Sequence, residues 1–249
     1  YEGDTLFSKT SDKHIFHHDI LKFLDKEKSY YVGLTYEYYK YYKNDIDSIM
    51  GDGIVVYDEK GEKVWTWNIF NHSKPDEERF LIRDDWSHAN GIDIDSDGNY
   101  LISFRNFDQI WKVNSVNGDV IWRLGKNGDF NLENKEIFYQ QHAIHKIDSS
   151  HYMLFDNGSS EYRKTSRALV FSLDEKNKNF NYSKSIFLPD SLFTFKQGSV
   201  YSMGNNNYLF SSSVNNKTII SDETGKILWN LSSDHSFYRV YYIDKKKLF

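Results

Sequence analysis

The chain is built from paired hairpins, and that repetition limits its fold more than any other feature of the sequence. Four segments, 53–69, 109–125, 168–186 and 217–232, each read as two short alternating strands around a polar turn rich in Gly, Asn and Asp. Each is preceded by another hairpin, at 17–37, 88–106, 141–159 and 198–214. Trp65, Trp122 and Trp229 fall at the same place in three of the later hairpins. A unit of four strands has two apolar faces and cannot bury both alone. It is stable when each face packs on a neighbouring unit, which is the physics of a propeller blade. A β-sandwich with regular turns accounts for the alternation but not for the long repeat. The expected fold class is therefore all-β, a β-propeller, with residues 1–249 forming one domain.

Composition agrees and removes other classes. Of 249 residues 17% are aromatic, including 19 Tyr and 18 Phe, which favours strands and a substantial core. There is no cysteine, so thiol catalysis, cysteine–zinc sites and disulfides are excluded. The net charge of -5 argues against nucleic acid as the main partner. No apolar run approaches the roughly 18 residues that span a bilayer. The sequence starts at Tyr1 without a charged and then apolar leader, so no signal peptide is expected within it. The stretch 71–85 reads as a loop between blades, and the Tyr-rich 36–52 as an insertion overhanging one end of the ring.

In a propeller the first strand of each unit lines the central channel, and its start faces one mouth. Those starts are His17-His18-Asp19, Ser87-His88-Ala89-Asn90, Gln141-His142-Ala143, Gly198-Ser199 and Tyr238-Arg239. Histidine thus recurs at one structural position in three successive units. Arg105 closes the second strand of the second unit near the same mouth. Cationic imidazole and guanidinium converging on one point make an anion site. Neutral imidazoles at that place serve equally as metal ligands or as nucleophiles. For a transferable sulfuryl or phosphoryl group, fixed cationic donors stabilise the charge that develops on the peripheral oxygens. The Gly-x-x-x-x-Gly-Lys-Ser/Thr loop that cradles nucleotide phosphates does not occur.

The ordered set "DWSHANGIDID", "LISFRN", "IWRLG", "QQHAIH" and "LFDNGS" resembles the arylsulfotransferase family, whose members do not use an activated nucleotide sulfate. The resemblance covers about residues 15–235. It implies a six-bladed propeller with the site at the channel mouth. The four and a half units counted here do not close such a ring. On that count 1–13 is the tail of a first blade partly missing from the sequence, and 238–249 opens a fifth unit.

The resemblance also implies transfer of a sulfuryl group from an aryl sulfate ester to a phenol through a sulfohistidine. By motif position His142 is the histidine that becomes sulfated, His88 and Arg105 hold the sulfate, and His18, rather than His17, is the first-blade histidine. Ser199 falls near a further hydroxyl contact, Asn90 belongs to the second-blade motif, and Trp86 is placed to stack on an aryl ring. No cofactor is expected, because the donor ester is already activated. The expected partners are the small aryl sulfate and phenol, and the implied location is periplasmic or secreted.

Three other readings compete with this one. "DIDSDGN" at 93–99 resembles the start of a calcium loop, but its twelfth position is Phe104, and Asp97-Gly98 suits a hairpin turn. His17-His18-Asp19 has zinc-ligand types, yet successive strand residues point to opposite faces, so no metal site is expected. The main rival in function is a non-catalytic propeller that uses the same pocket to bind an anionic ligand or a protein partner.

Overall fold

The structure is a computed structural model that describes residues 16–43, 46–75 and 85–243. It is an all-β propeller whose sixteen strands form four antiparallel sheets, each with its strands in simple sequential order. The first sheet holds β1 (Phe16–Asp25), β2 (Lys28–Lys43), β3 (Ile46–Asp58) and β4 (Lys63–Asn68). The second holds β5 (Ala89–Ile94), β6 (Tyr100–Phe104), β7 (Gln109–Val113) and β8 (Val120–Gly125). The third holds β9 (His142–Lys146), β10 (His151–Asp156), β11 (Arg167–Asp174) and β12 (Asn179–Phe187). The fourth holds β13 (Ser199–Gly204), β14 (Asn207–Ser212), β15 (Lys217–Asp222) and β16 (Ile227–Ser232). These are the hairpin pairs of the repeat. The insertion at 36–52 lengthens the β2–β3 hairpin, which stays paired from Tyr30↔Asp58 to Lys43↔Ile46.

Alternation along each strand sends side chains to both neighbours. In the third sheet, Tyr152, Leu154, Leu169 and Phe171 pack with Ile110, Trp122 and Leu124 of the second. Met153, Phe155, Ala168 and Val170 pack with Val200, Phe210 and Ile219 of the fourth. A third cluster joins Val32, Ile54, Val56 and Trp67 of the first sheet to Ile92, Ile102 and Trp111 of the second. Trp122 is 1% exposed in this sandwich, whereas the equivalent Trp229 of the fourth sheet is 46% exposed. The difference is in the neighbour and not the strand: among the described residues no further sheet packs on the fourth, and the ring is unclosed.

Only the C-terminal end of the repeat can be compared with the sequence count, and there it departs. Residues 1–15 and 244–249, where the tail of a first blade and part of a fifth unit were expected, lie outside the described residues, as do 76–84 of the loop between blades. Residues 238–243 form no strand. They run beside β13, with Gly198 N–H donating to Tyr238 O at 3.0 Å and Ser199 Oγ to Val240 O at 3.0 Å. From there Arg239 reaches across to the first blade and donates to Asp19 Oδ2 at 2.8 Å.

Innermost strands β1, β5, β9 and β13 are sheet edges, so their main chains need partners from elsewhere. Short polar side chains supply them. Asp19 on β1 accepts Ile92 N–H of β5, and Asp93 on β5 accepts Lys146 N–H of β9. Asn90 donates to Gln141 O at 2.8 Å. Gln141 in turn donates from Nε2 to Ser103 Oγ, Phe104 O and Gln109 O at 3.1, 3.2 and 2.9 Å. Replacing Gln141 by Ala strands two buried carbonyls between the second and third blades and should destabilise the protein by about 2–3 kcal/mol. Urea unfolding measures this; a midpoint within error of the wild type would show that these bonds are not what joins the blades.

Candidate active site

The innermost strands begin with irregular backbone, and this aims the histidines. Register breaks between His17 and Ile20 in β1, between Ala89 and Gly91 in β5, and opposite Met153–Phe155 in β9. His18, His88 and Ala143 have φ of 54°, 51° and 51°, in the left-handed region. A bulge of this kind breaks the strict alternation of a strand and re-aims side chains toward the axis. Trp86 N–H bonding to Met50 O, and Arg105 N–H to His88 O, pin the segment that carries His88.

The structure brings His18, His88, Arg105 and His142 to one cavity of about 570 Å³. The ring centroids of His18 and His88 are 5.1 Å apart, and those of His18 and Tyr238 are 5.5 Å apart. Tyr238 continues the row to His142 at 6.1 Å. Lys196 and Glu161 also line the cavity. His88 Nδ1 pairs with Asp85. The Arg105 guanidinium donates to Gln140 Oε1 at 3.0 Å and to Phe195 O at 3.3 Å, and so spans the mouth from the second blade to the loop before β13.

His142 is 1% exposed and its tautomer is fixed by its partners. Nδ1 faces two acceptors, Asn157 Oδ1 at 2.7 Å and Gln140 O at 3.0 Å, so it carries the proton. Nε2 faces the Gln197 N–H at 3.1 Å and therefore presents its lone pair. Burial, aided by the charges of Arg105 and Arg239, holds the imidazole well below its usual range, so it is neutral near pH 7. Asn157 does more than orient this ring. Its Nδ2 donates to Thr194 O at 2.8 Å and Gln197 O at 2.7 Å, and so holds the loop whose amide caps Nε2.

His18 is lowered to about 4, by burial first and then by His17 and His88, against the opposite pull of Asp52 and Asp85. His145, one alternation along from His142, does not line the cavity. Its ring lies tilted against Tyr201 at 4.8 Å, and it is lowered to about 4, chiefly by burial.

Four of the residues singled out in the sequence are placed elsewhere. Trp86 is 5% exposed and stacks on Phe70 at 5.4 Å, within the core between the first two blades. Asn90 and Ser199 are fully buried; Asn90 ties β5 to Gln141, and Ser199 bonds Ser211 Oγ and the Val240 carbonyl, each at 3.0 Å. His17 turns away from the cavity and stacks on Tyr36 at 4.0 Å. None of the four lines the cavity. Conversely, Tyr238, Gln140, Asn157 and Gln197 enter the site without having been assigned a role. For Asn157 the "LFDNGS" motif was the available signal; for the loop amide of Gln197 there was none.

At the other end of β5 the aspartates of "DIDSDGN" hold an ammonium ion that the chain itself supplies. Lys112 Nζ lies 2.8 Å from Asp95, 2.7 Å from Asp97 and 2.7 Å from Glu175, with the lysine side chain 3% exposed. Lys146 and the Tyr152 hydroxyl add bonds to Asp95 at 2.6 and 2.8 Å. These contacts hold Asp95 far below the ordinary carboxylate range, against its own burial.

The sequence model described as Arylsulfotransferase (ASST) matches residues 2–217 of the chain. No curated protein matches by sequence. Among solved structures, a protein of unknown function from Bacteroides caccae aligns at 11% identity and a TM-score of 0.48, over 87% of this chain and 68% of that one. A catalytically inactive virginiamycin B lyase from Staphylococcus aureus, solved with quinupristin, aligns at 11% identity and 0.45, over 90% and 74%. BamB from Moraxella catarrhalis aligns at 8% and 0.35, over 85% and 76%.

Because His18, His142 and His145 are neutral when folded, unfolding below about pH 6.5 takes up protons. Their contribution to stability therefore falls as the pH drops from 6.5 toward 4. His142→Asn or His145→Asn should each make the pH dependence of the unfolding free energy shallower by about one proton, ~1.4 kcal/mol per pH unit. Urea titrations between pH 5 and 7 measure the slope, and an unchanged slope would mean that the ring is already charged in the fold.

Proposed function

The chain belongs to the arylsulfotransferase family, and from that premise we propose that it moves a sulfuryl group from an aryl sulfate ester to a phenolic acceptor through a sulfohistidine at His142. The observation that carries this reading is the fixed tautomer of a buried, neutral imidazole beside a cationic cavity. A neutral histidine nitrogen that presents a lone pair is a competent nucleophile once the Gln197 amide gives way. In the first half-reaction His142 Nε2 attacks sulfur. The S–N bond forms, the S–O bond to the aryl group breaks, and its electron pair leaves on the aryl oxygen. The retained Nδ1 proton, held by Asn157 and Gln140, makes the sulfated ring an imidazolium and keeps it a good leaving group. In the second half the acceptor oxygen attacks sulfur and the pair returns to Nε2.

Arg105 supplies positive charge to the sulfuryl oxygens, where charge develops, and the His88 ring lines the same pocket. Lys196 lies on the same wall. The Gln197 N–H yields Nε2 to sulfur and then stands beside the sulfuryl oxygens as a donor. Gln197 and Gly198 have φ of 59° and 93°, so the amide that must give way lies in left-handed backbone, which Gly198 adopts without strain. Because the ester is activated, the chemistry needs no nucleotide. An extracytoplasmic site of action, periplasmic or secreted, follows from the family and is part of the proposal.

The test is turnover of 4-nitrophenyl sulfate with phenol as acceptor. His142→Ala should remove turnover by at least about 10⁴-fold. Arg105→Met should lower kcat by about 10²–10³-fold. Acid-labile sulfate on His142 after exposure to donor alone identifies the intermediate. A protein that binds sulfate but neither turns over nor becomes labelled is the non-catalytic binding propeller, and the proposal would be discarded.

A further inference from the structure

His18 is the exposed end of a buried chain of polar groups. Its Nδ1 lies 2.8 Å from His17 Nδ1. The His17 ring is clamped on Tyr36, and its Nε2 lies 3.2 Å from Asp52 Oδ1, a close electrostatic contact off the ideal hydrogen-bond line. The side chains of His17 and Asp52 are 5% and 3% exposed. Asp52 Oδ2 accepts the Ser87 hydroxyl and, at 2.8 Å, the Ala89 N–H, so the carboxylate is anchored from the second blade.

These contacts order the protons. A carboxylate only accepts, so the His17 proton belongs on Nε2 and its Nδ1 must accept. His18 then donates from Nδ1. That leaves its Nε2 as a bare lone pair, with no partner among the described residues, on a ring that lines the cavity.

We propose that His18, His17 and Asp52 form a proton relay that serves the acceptor phenol. The inference rests on the sulfotransferase reading above and names the base of its second half. As the acceptor oxygen bonds to sulfur and the S–N bond to His142 breaks, the phenolic proton passes to His18 Nε2. The Nδ1 proton of His18 moves to His17 Nδ1, and the positive charge comes to rest beside Asp52. Returned by the same path, that proton neutralises the aryloxide that leaves in the next first half-reaction. His18 is the catalytic residue; His17 and Asp52 are positioning residues that act through it.

A relay is needed because His18 alone is a weak base. It is lowered to about 4 by burial and by the neighbouring rings of His17 and His88. Asp85, paired with His88, Tyr238 on the tail, and Asp52 are the other ionisable groups that face it. Passing the proton inward moves the charge from a poor site to one that Asp52 compensates.

The experiment separates the halves by rapid mixing. His17→Phe and Asp52→Asn are exposed to 4-nitrophenyl sulfate, and the burst of 4-nitrophenolate and sulfate on His142 are read. The sulfated enzyme is then mixed with phenol or with an acidic phenol already ionised at the assay pH. Transfer to phenol should fall about 10²-fold in both variants, and transfer to the ionised acceptor less than a tenth as much. The rate of transfer to phenol should also become steeply pH-dependent, as free phenolate takes over. Equal losses with both acceptors and in the burst would mark a structural role and overturn the relay. Full-rate transfer to phenol would do the same. If the wild type shows neither burst nor label, it is the sulfotransferase reading that fails.

Discussion

Edge strands set the terms for this molecule. The inner strand of each blade has a partner on one side only, and no ladder joins it to the inner strand of the next blade. Asp19, Asn90, Asp93 and Gln141 close that gap by giving main-chain groups of the adjoining blade a hydrogen-bond partner. Without them a wedge of unsatisfied amides and carbonyls would face the axis, at about 1–3 kcal/mol each. With them the blade starts are drawn together, and residues far apart in the chain meet at one mouth. The apolar clusters hold the blades face to face, but these short polar side chains decide how the inner edges line up.

The two ends of the inner strands show the same chemistry used to opposite effect. Around Lys112 every charge is met by its complement: three carboxylates, a second lysine and a tyrosine hydroxyl close the cluster on itself. At the His88 end the groups facing the cavity are imidazoles, Arg105 and Lys196, with Glu161 the carboxylate among its lining residues. On the proposed reading their complement is the sulfuryl group. Within that end, burial keeps His142 and His18 neutral in the cavity that Arg105 also lines, so on the proposed reading the nucleophile and the anion-holding guanidinium share one pocket.

Much of this could be read from the residues, for identifiable reasons. Short alternating runs around Gly- and Asn-rich turns located every hairpin, because the turns carry their own chemistry and punctuate the strands. The recurrence of His18, His88 and His142 located the mouth. What alternation could not supply was direction. The bulges reverse it locally, so His18 faces the cavity and His17 the core, while Asn90, Ser199 and Trp86 are spent on packing and inter-blade bonds. Nor could pattern alone reveal that Asp95 and Asp97 are answered by Lys112, a partner that only the strand pairing brings near. Tyr238 stood at the expected repeat position, but as part of a tail lying along β13 and not as a new strand.

His18 and His88 occupy a region of backbone space that a side chain with a β-carbon enters at a penalty of roughly 1 kcal/mol. Glycine would sit there without strain. Exchanging either histidine for glycine would relieve the backbone while costing the mouth a ring, so on the proposed reading the protein holds these groups there at the expense of stability.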